Sequence, residues 1–323
     1  MEDNTASPYG STPSKSLLLT AARRLAWLPM DLPPPASHEV LLQTCTGAIS
    51  IGSELPLYCG TARASQPTRY PRMTGYESLG IVLACGSSVQ HLHRGDRVVS
   101  FYGHRTHSIV PAAKALLVPD SISDALALLA ILTCDTAKGV RKVAPSYDEP
   151  VLITGAGAIG LLTLFILKAY GVSIVDVVEP SAERHALTLH LGASRVMHPR
   201  EMPPSSETYA AAFECSSSAE AFALLQHNMR PEGRVCILAD GNREPLVLAP
   251  AFHEKELSIV ASSDGWDYQA HAAWYFNEVQ QHPSHLERLF DLHVSSNELI
   301  ATFAQLATGS IHPIKVLVHY EPF

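Results

Sequence analysis

Apolar positions in this 323-residue chain change their spacing along its length, and each spacing predicts a different kind of element. From Ser16 to about Asp120 they come as short runs, LLLTAA, VLLQTC, SLGIVLA, DRVVSFYG and ALLVPD, broken by turn residues. Runs of that length, punctuated by Gly, Pro, Ser and Asp, predict a small β-rich domain. After Pro119 the pattern turns helical over residues 125–132, with Ser123 able to cap it. From Val151 onward strand and helix alternate. Strands are predicted at 173–178, 211–214, 234–239 and 257–261, and helices at 161–170, 182–191 and 219–229. That alternation is what a parallel, doubly wound sheet requires. Segments 268–280, 296–308 and 316–320 complete the chain. Residues 1–14, rich in Ser, Thr and Pro without periodic apolar positions, predict a disordered tail.

The first strand of the alternating region ends in VLITGAGAIG, residues 151–160, where glycines recur as G-x-G-x-x-G. Gly155 makes the tight turn, Gly157 lets the backbone approach a pyrophosphate, and Gly160 lets helix and strand pack closely. Ala158 and Ile159 open the next helix, whose unpaired N–H groups and positive dipole end attract an anion. Glu179 ends the second strand, where a carboxylate accepts hydrogen bonds from the ribose hydroxyls of a dinucleotide. An ordinary βαβ unit with a glycine turn is the plainer alternative. A carboxylate at Glu179 repels the extra phosphate of NADP, so NAD is favoured. Arg184, close by, leaves NADP possible, because an arginine there can receive a 2′-phosphate; its other reading is a solvated side chain of the helix.

Composition narrows the classes. With 46% hydrophobic and 17% charged residues the chain has the makeup of a soluble globular protein and the length for two domains. A net charge of −8 without a basic cluster argues against nucleic acid as a partner. Six scattered cysteines without a C-x-x-C pair, and no basic-then-apolar leader, predict a reducing, cytoplasmic setting. No apolar run reaches membrane-spanning length, so no membrane insertion is expected.

The β-rich first part, GAGAIG, EPSAERHALTLHLGAS, FECSSSAEA and RPEGRVCILA together resemble the medium-chain dehydrogenase/reductase superfamily, that of the zinc alcohol dehydrogenases. The resemblance implies an α/β fold: a Rossmann doubly wound parallel sheet plus a β-rich GroES-like partly closed barrel domain. It divides the chain into a tail (1–14), a GroES-like catalytic domain (15–120), a Rossmann dinucleotide-binding domain (121–264) and a return to the catalytic domain (265–323). It also implies a homodimer and a small-molecule substrate.

Zinc members hold their metal with a Cys in a G-I-C-G-T-D-like block, a His in a G-H-E block and a further Cys or acid. Here those blocks read GAISIGSE and TGYESLG, so Ser50 stands for the Cys and Tyr76 for the His, while Cys134 lies near the third position. Neutral hydroxyls are poor zinc ligands beside thiolate and imidazole, and no zinc is expected. The altered blocks resemble a zinc-free subgroup that includes the bacteriochlorophyllide dehydrogenases. Without a Lewis acid, hydride chemistry needs protein donors. Tyr76 and Ser50 are the candidates by position. Tyr76 either donates to a carbonyl oxygen or fills the vacated metal pocket and bonds Glu77. Ser53 can begin a proton relay that His104 or His107 finishes, and Thr136 is placed by the resemblance near the nicotinamide carboxamide. The expected activity is NAD(H)-dependent interconversion of a secondary alcohol and a ketone. The alternatives are an NADPH-dependent enoyl or quinone reductase, or a catalytically inactive dinucleotide-binding sensor or scaffold.

Overall fold

The computed structural model describes residues 11–62, 69–239, 244–282 and 284–321. The chain forms two compact units, unit 1 being Met1–Leu128 with Phe290–Phe323 and unit 2 being Leu129–Leu289. In chain order unit 1 opens with β1 (Thr12–Ala21), β2 (Arg24–Leu32), β3 (Glu39–Ile49), α1 (Ile51–Cys59), β4 (Arg72–Met73), β5 (Glu77–Cys85), β6 (Arg97–Ser100), β7 (His107–Pro111), β8 (Leu116–Leu117) and α2 (Asp124–Leu128). Residues 1–10 of the expected tail lie outside the described residues. Residues 12–14 are strand, against expectation, paired with Met30–Leu32 of β2. Ser14 is buried there and its hydroxyl donates to the His107 carbonyl at 3.2 Å. Strand partners, which the tail's composition cannot reveal, decided its state.

Unit 2 contains α3 (Ala130–Val143), β9 (Val151–Thr154), α4 (Ala158–Ala169), β10 (Val175–Val178), α5 (Ala182–His190), β11 (Arg195–Met197), β12 (Tyr209–Glu214), α6 (Ala219–Asn228), β13 (Met229–Ile237), α7 (Pro250–Glu254), β14 (Ser258–Ala261) and α8 (Tyr268–Gln281). Its six strands are parallel in the order β11-β10-β9-β12-β13-β14. Counted from β9 this is 3-2-1-4-5-6, the dinucleotide-binding order, and the direction of winding reverses between β9 and β12. α4 follows the glycine turn and is buried continuously from Gly160 to Leu167, so it is apolar on every side. The single helix expected over 125–132 is two helices, α2 ending at Leu128 and α3 starting at Ala130. α3 also runs on to Val143. Its threonines give their hydroxyl protons to the helix itself, Thr133 to Leu129 and Thr136 to Thr133, so the polar stretch TCDTAKG does not break it.

The chain then re-enters unit 1 through β15 (Phe290–Ser295), α9 (Leu299–Thr308) and β16 (Lys315–His319). The return falls at Phe290, where the sequence reading placed it at residue 265. The intervening α8 packs in unit 2: Tyr275, fully buried, meets the Phe165 ring edge-on at 6.0 Å, and His271 Nε2 lies 3.0 Å from Thr133 Oγ1. Of the aromatics in segment 265–276, Tyr275 and Phe276 are core, Tyr268 and Trp274 are half-buried and Trp266 is exposed. In unit 1 the strands make two sheets, β2-β1-β4 and β15-β16-β3-β5-β6-β8 with β7 beside β3. Neither is closed into the partly closed barrel that the resemblance implied. One edge of β3 is shared, β7 pairing with Glu39–Gln43 and β16 with Thr46–Ile49, while β5 runs along the other. Among the described residues no helix is long and apolar enough to cross a membrane.

Candidate functional site

In unit 1 the neighbouring strands β16, β3 and β5 bring together residues far apart in sequence. Ser50 follows β3 and is the N-cap of α1, in extended conformation (φ −86°, ψ 90°). Its backbone N–H donates to Glu54 Oε1 at 2.8 Å, an acid of the first helical turn. Its hydroxyl donates to Glu77 Oε1 at 2.5 Å. Glu77 starts β5 and stands opposite Ala48 of β3. Lys315 starts β16 on the far side of β3, and its ammonium donates to the same Glu77 oxygen at 2.7 Å and to Ser50 Oγ at 3.4 Å. The Lys315 and Glu77 side chains are 1% and 0% exposed. Glu77 Oε2, also buried, has no hydrogen-bond partner among the described residues.

Tyr76 precedes Glu77. Its phenol oxygen lies 3.2 Å from Ser53 Oγ. Burial first, and the Glu77 carboxylate second, push the phenol far above the ordinary tyrosine range, so it stays protonated. Among the described residues the Glu77 carboxylate takes its hydrogen bonds from Ser50 and Lys315 and none from Tyr76. His104 is buried, its Nε2 3.1 Å from Glu54 Oε2 and its Nδ1 3.5 Å from Tyr320 Oη. The structure thus joins Ser50, Ser53, Tyr76 and, through Glu54, His104 in one polar cluster. His107 Nδ1 lies 3.2 Å from Thr106 Oγ1, and burial lowers its imidazole pKa. Sequence reasoning missed Lys315 and Tyr320. A lysine opening the apolar run VLVHY was the available signal for the first.

In unit 2 the glycines have the geometry their motif requires. Gly155 has φ +91°, a region that side-chain-bearing residues avoid. A Cβ on Gly160 would stand 1.9 Å from the Gly155 carbonyl oxygen, so only glycine lets α4 pack there. A Cβ on Gly157 would meet nothing within 4 Å, which leaves the backbone open to a ligand. Gly157 is the N-cap of α4, and Ala158 and Ile159 are in its first turn, where helix N–H groups lack intrahelical partners. Glu179 is buried and ties this turn to β10: Oε2 accepts from Ala156 N at 2.6 Å and Oε1 from Ser181 N at 2.9 Å. Each oxygen keeps room for another donor. At the neighbouring end of β12, Glu214 Oε1 accepts from Ser216 N and Ser217 N at 2.7 and 3.0 Å, while its buried Oε2 is unpartnered among the described residues. This cradle fits a dinucleotide. Arg184 is half-buried in the first turn of α5. Thr136 is fully buried, its hydroxyl donated to the Thr133 carbonyl at 3.0 Å.

The donor set does not fit zinc. Ser50 gives its proton to Glu77, Tyr76 resists ionisation, and the Lys315 ammonium already brings a positive charge to the Ser50 oxygen. Cys134 is sealed within unit 2, where its thiol donates to the Trp266 carbonyl at 3.2 Å and burial, then Asp135, push it up to about 12. Among the described residues no group of three His, Cys, Asp or Glu side chains could hold a metal.

The Alcohol dehydrogenase GroES-like domain family matches residues 36–115. The L-threonine 3-dehydrogenase of Pectobacterium atrosepticum is 26% identical over 256 residues, 66% of this chain and 69% of that protein. Among solved structures, L-idonate 5-dehydrogenase from Escherichia coli K-12 superposes with a TM-score of 0.84 at 16% identity, over 96% of this chain and 99% of that one. A protein described as short chain alcohol dehydrogenase (rspB), from Escherichia coli CFT073 and complexed with cofactor NADH, gives a TM-score of 0.79 at 22% identity, over 96% of this chain and 100% of that one.

Proposed function

This chain is a member of the medium-chain dehydrogenase/reductase, zinc-alcohol-dehydrogenase-like superfamily, and from that premise we propose that it interconverts a secondary alcohol and a ketone with NAD(H), without catalytic zinc. The observation that carries the reading is the Tyr76 phenol, held 3.2 Å from Ser53 Oγ and kept protonated by burial and by Glu77. When bound in this cradle, NADH would supply the hydride for the carbonyl carbon of the substrate. Tyr76 gives its proton to the carbonyl oxygen as that oxygen gains charge, the part a metal's Lewis acidity otherwise plays. Gly157, Ala158 and Ile159 receive the pyrophosphate, and Glu179 accepts from the ribose hydroxyls.

Mixing the NADH-loaded protein with a panel of ketones, activated alkenes and tetrapyrroles tests this reading. Ketones are expected to oxidise NADH. Oxidation by alkenes alone, with NADPH preferred, would make the protein a double-bond reductase, and none with any class would make it a sensor. A tetrapyrrole substrate, the finer reading, is supported only by the GAISIGSE and TGYESLG blocks, and the same panel decides it.

Glu179→Ala is expected to weaken NADH about tenfold or more, the effect of losing a hydrogen bond to a charged group, and NADPH less. Titration of bound nucleotide fluorescence checks this, and an unchanged NADH affinity would remove Glu179 from the ribose site. The homodimer is proposed through β14. It is the edge strand of the unit 2 sheet, with Val260 and Ala261 exposed. Charge on an edge opposes pairing, so Val260→Lys is expected to yield monomers in sedimentation. A wild-type monomer contradicts the proposal. A cytoplasmic setting is proposed from the scattered cysteines alone.

A further inference from the structure

We infer that His293 and His319 form a metal site on the surface of unit 1, where two imidazoles take one borderline divalent ion, Cu²⁺ or Zn²⁺, with water in its remaining positions. The site stands apart from the Ser50–Tyr76 cluster and does not depend on the alcohol–ketone reading. His293 lies on β15 and His319 ends β16, two parallel strands in which His293 is opposite Leu317 and Ser295 opposite His319. Leu292, Val294, Val316 and Val318 pack on the unit 1 core, so alternation turns both histidines to the other face of the sheet, as diagonal neighbours. Both are exposed.

The spacing of their nitrogens is that of a chelate. His319 Nε2 lies 3.3 Å from His293 Nδ1. A tetrahedral zinc with metal–nitrogen bonds of about 2.0–2.1 Å separates neighbouring ligand nitrogens by about 3.3–3.4 Å. The second observation is a supporting bond: His293 Nε2 lies 3.2 Å from the Phe290 carbonyl oxygen. A carbonyl only accepts, so His293 Nε2 carries the proton, and in the neutral ring His293 Nδ1 presents its lone pair to His319. Metal-ligating histidines give their other ring N–H to a carbonyl or carboxylate in this way, which fixes tautomer and ring orientation. In the metal-free protein His319 donates through Nε2 to that lone pair. When the ion binds, His319 carries its proton on its own Nδ1 instead, and both facing lone pairs are free to ligate.

Imidazoles without thiolate suit borderline ions, and Cu²⁺ binds such sites more tightly than Zn²⁺. Asp291 lies two residues before His293 on the same face of β15 and brings negative charge to it. Its carboxylate is held by backbone amides, that of Ile314 at 2.8 and 3.0 Å and that of Lys315 at 3.3 Å, so it is not counted as a ligand. Among the described residues no third His, Cys, Asp or Glu completes the set. With only two protein ligands and both of them exposed, the ion exchanges freely and leaves on desalting. While bound it ties β15, the edge strand of the larger sheet, to β16.

Cu²⁺ added to the full chain tests the site by pulsed electron paramagnetic resonance. The first equivalent is expected to show two equatorial imidazole nitrogens in the wild type, and fewer in His293→Gln and in His319→Gln. Affinity, measured by competition with a coloured chelator, is expected to fall about tenfold or more in each variant, since losing even a bond that supports a ligand costs about 10–100-fold. The double substitution His91→Gln, His93→Gln, in an exposed loop, is the control and is expected to change neither readout. Zn²⁺ is expected to raise the melting temperature of the wild type and not that of His319→Gln, because the ion binds the folded form. Melts without metal are expected to coincide for all these proteins, the substituted side chains being exposed. Two nitrogens and unchanged affinity in either His293→Gln or His319→Gln overturn the site. So does loss of the first equivalent in the control, which would put the ion in the loop of His91 and His93 instead.

Discussion

Gly160→Ala is expected to lower stability by about 3 kcal/mol or more and to weaken NADH binding on the order of a hundredfold. Its Cβ would lie 1.9 Å from the Gly155 carbonyl oxygen and 3.0 Å from the carbonyl carbon, and both atoms are backbone. No rotamer change relieves such a clash. Either α4 moves away from β9 or the turn at Gly155 opens, and the Ala156 amide that Glu179 holds moves with it. Gly157→Ala separates the two effects, because a Cβ there meets no atom within 4 Å. It is expected to leave stability within about 1 kcal/mol while still weakening the dinucleotide, whose pyrophosphate needs that space. Thermal melts and fluorescence titrations measure both variants. Full NADH affinity in Gly157→Ala would mean that the pyrophosphate does not approach this turn.

Tyr76→Phe is expected to lower kcat for ketone reduction by a factor of about 10² to 10⁴, the usual contribution of a positioned proton donor. NADH affinity should stay near its wild-type value, because in this reading Tyr76 acts on the carbonyl oxygen of the substrate and not on the nucleotide. The pH dependence follows from the direction of the phenol's shift. A tyrosine pushed upward by burial and by Glu77 keeps its proton as pH rises through the ordinary tyrosine range. Ketone reduction is therefore expected to show no loss from Tyr76 ionisation at about pH 10, where an unperturbed phenol titrates. Ser53→Ala, which removes the neighbour 3.2 Å from the phenol oxygen but keeps the phenol and its proton, is expected to cost less than Tyr76→Phe.

What could be read from the sequence follows the distance over which each feature is determined. The glycine turn was legible because Gly155, Gly157 and Gly160 perform their tasks within one strand-turn-helix unit, each marked by residue type. Glu179 was legible as an acid at a strand end. Its two bonds to the Ala156 and Ser181 amides were not, since they need the register of β10 against β9. Ser50 and Tyr76 were found through the blocks they interrupt. The Lys315–Glu77 pair stayed hidden, because the partners are 238 residues apart and meet only through the order β16-β3-β5. β15 is the opposite case: FDLHVS alternates apolar Phe290, Leu292 and Val294 with polar residues, a short strand pattern that was present in the sequence and missed, and Leu292 and Val294 pack on the unit 1 core. Long-range pairing also explains residues 12–14, where strand partners override a tail-like composition. The break between α2 and α3 has no marker residue in LALLAIL; it falls where the chain passes from one unit to the other.

The central claim is hydride transfer to a ketone with a protein proton donor in place of zinc. Its most direct test is single-turnover oxidation of bound NADH by a ketone, measured on protein dialysed against a strong chelator and on the same protein resupplied with zinc. The account predicts the same rate in both samples, no stoichiometric zinc in either after desalting, and loss of that rate in Tyr76→Phe. A rate that disappears with chelation and returns with one zinc per chain contradicts it.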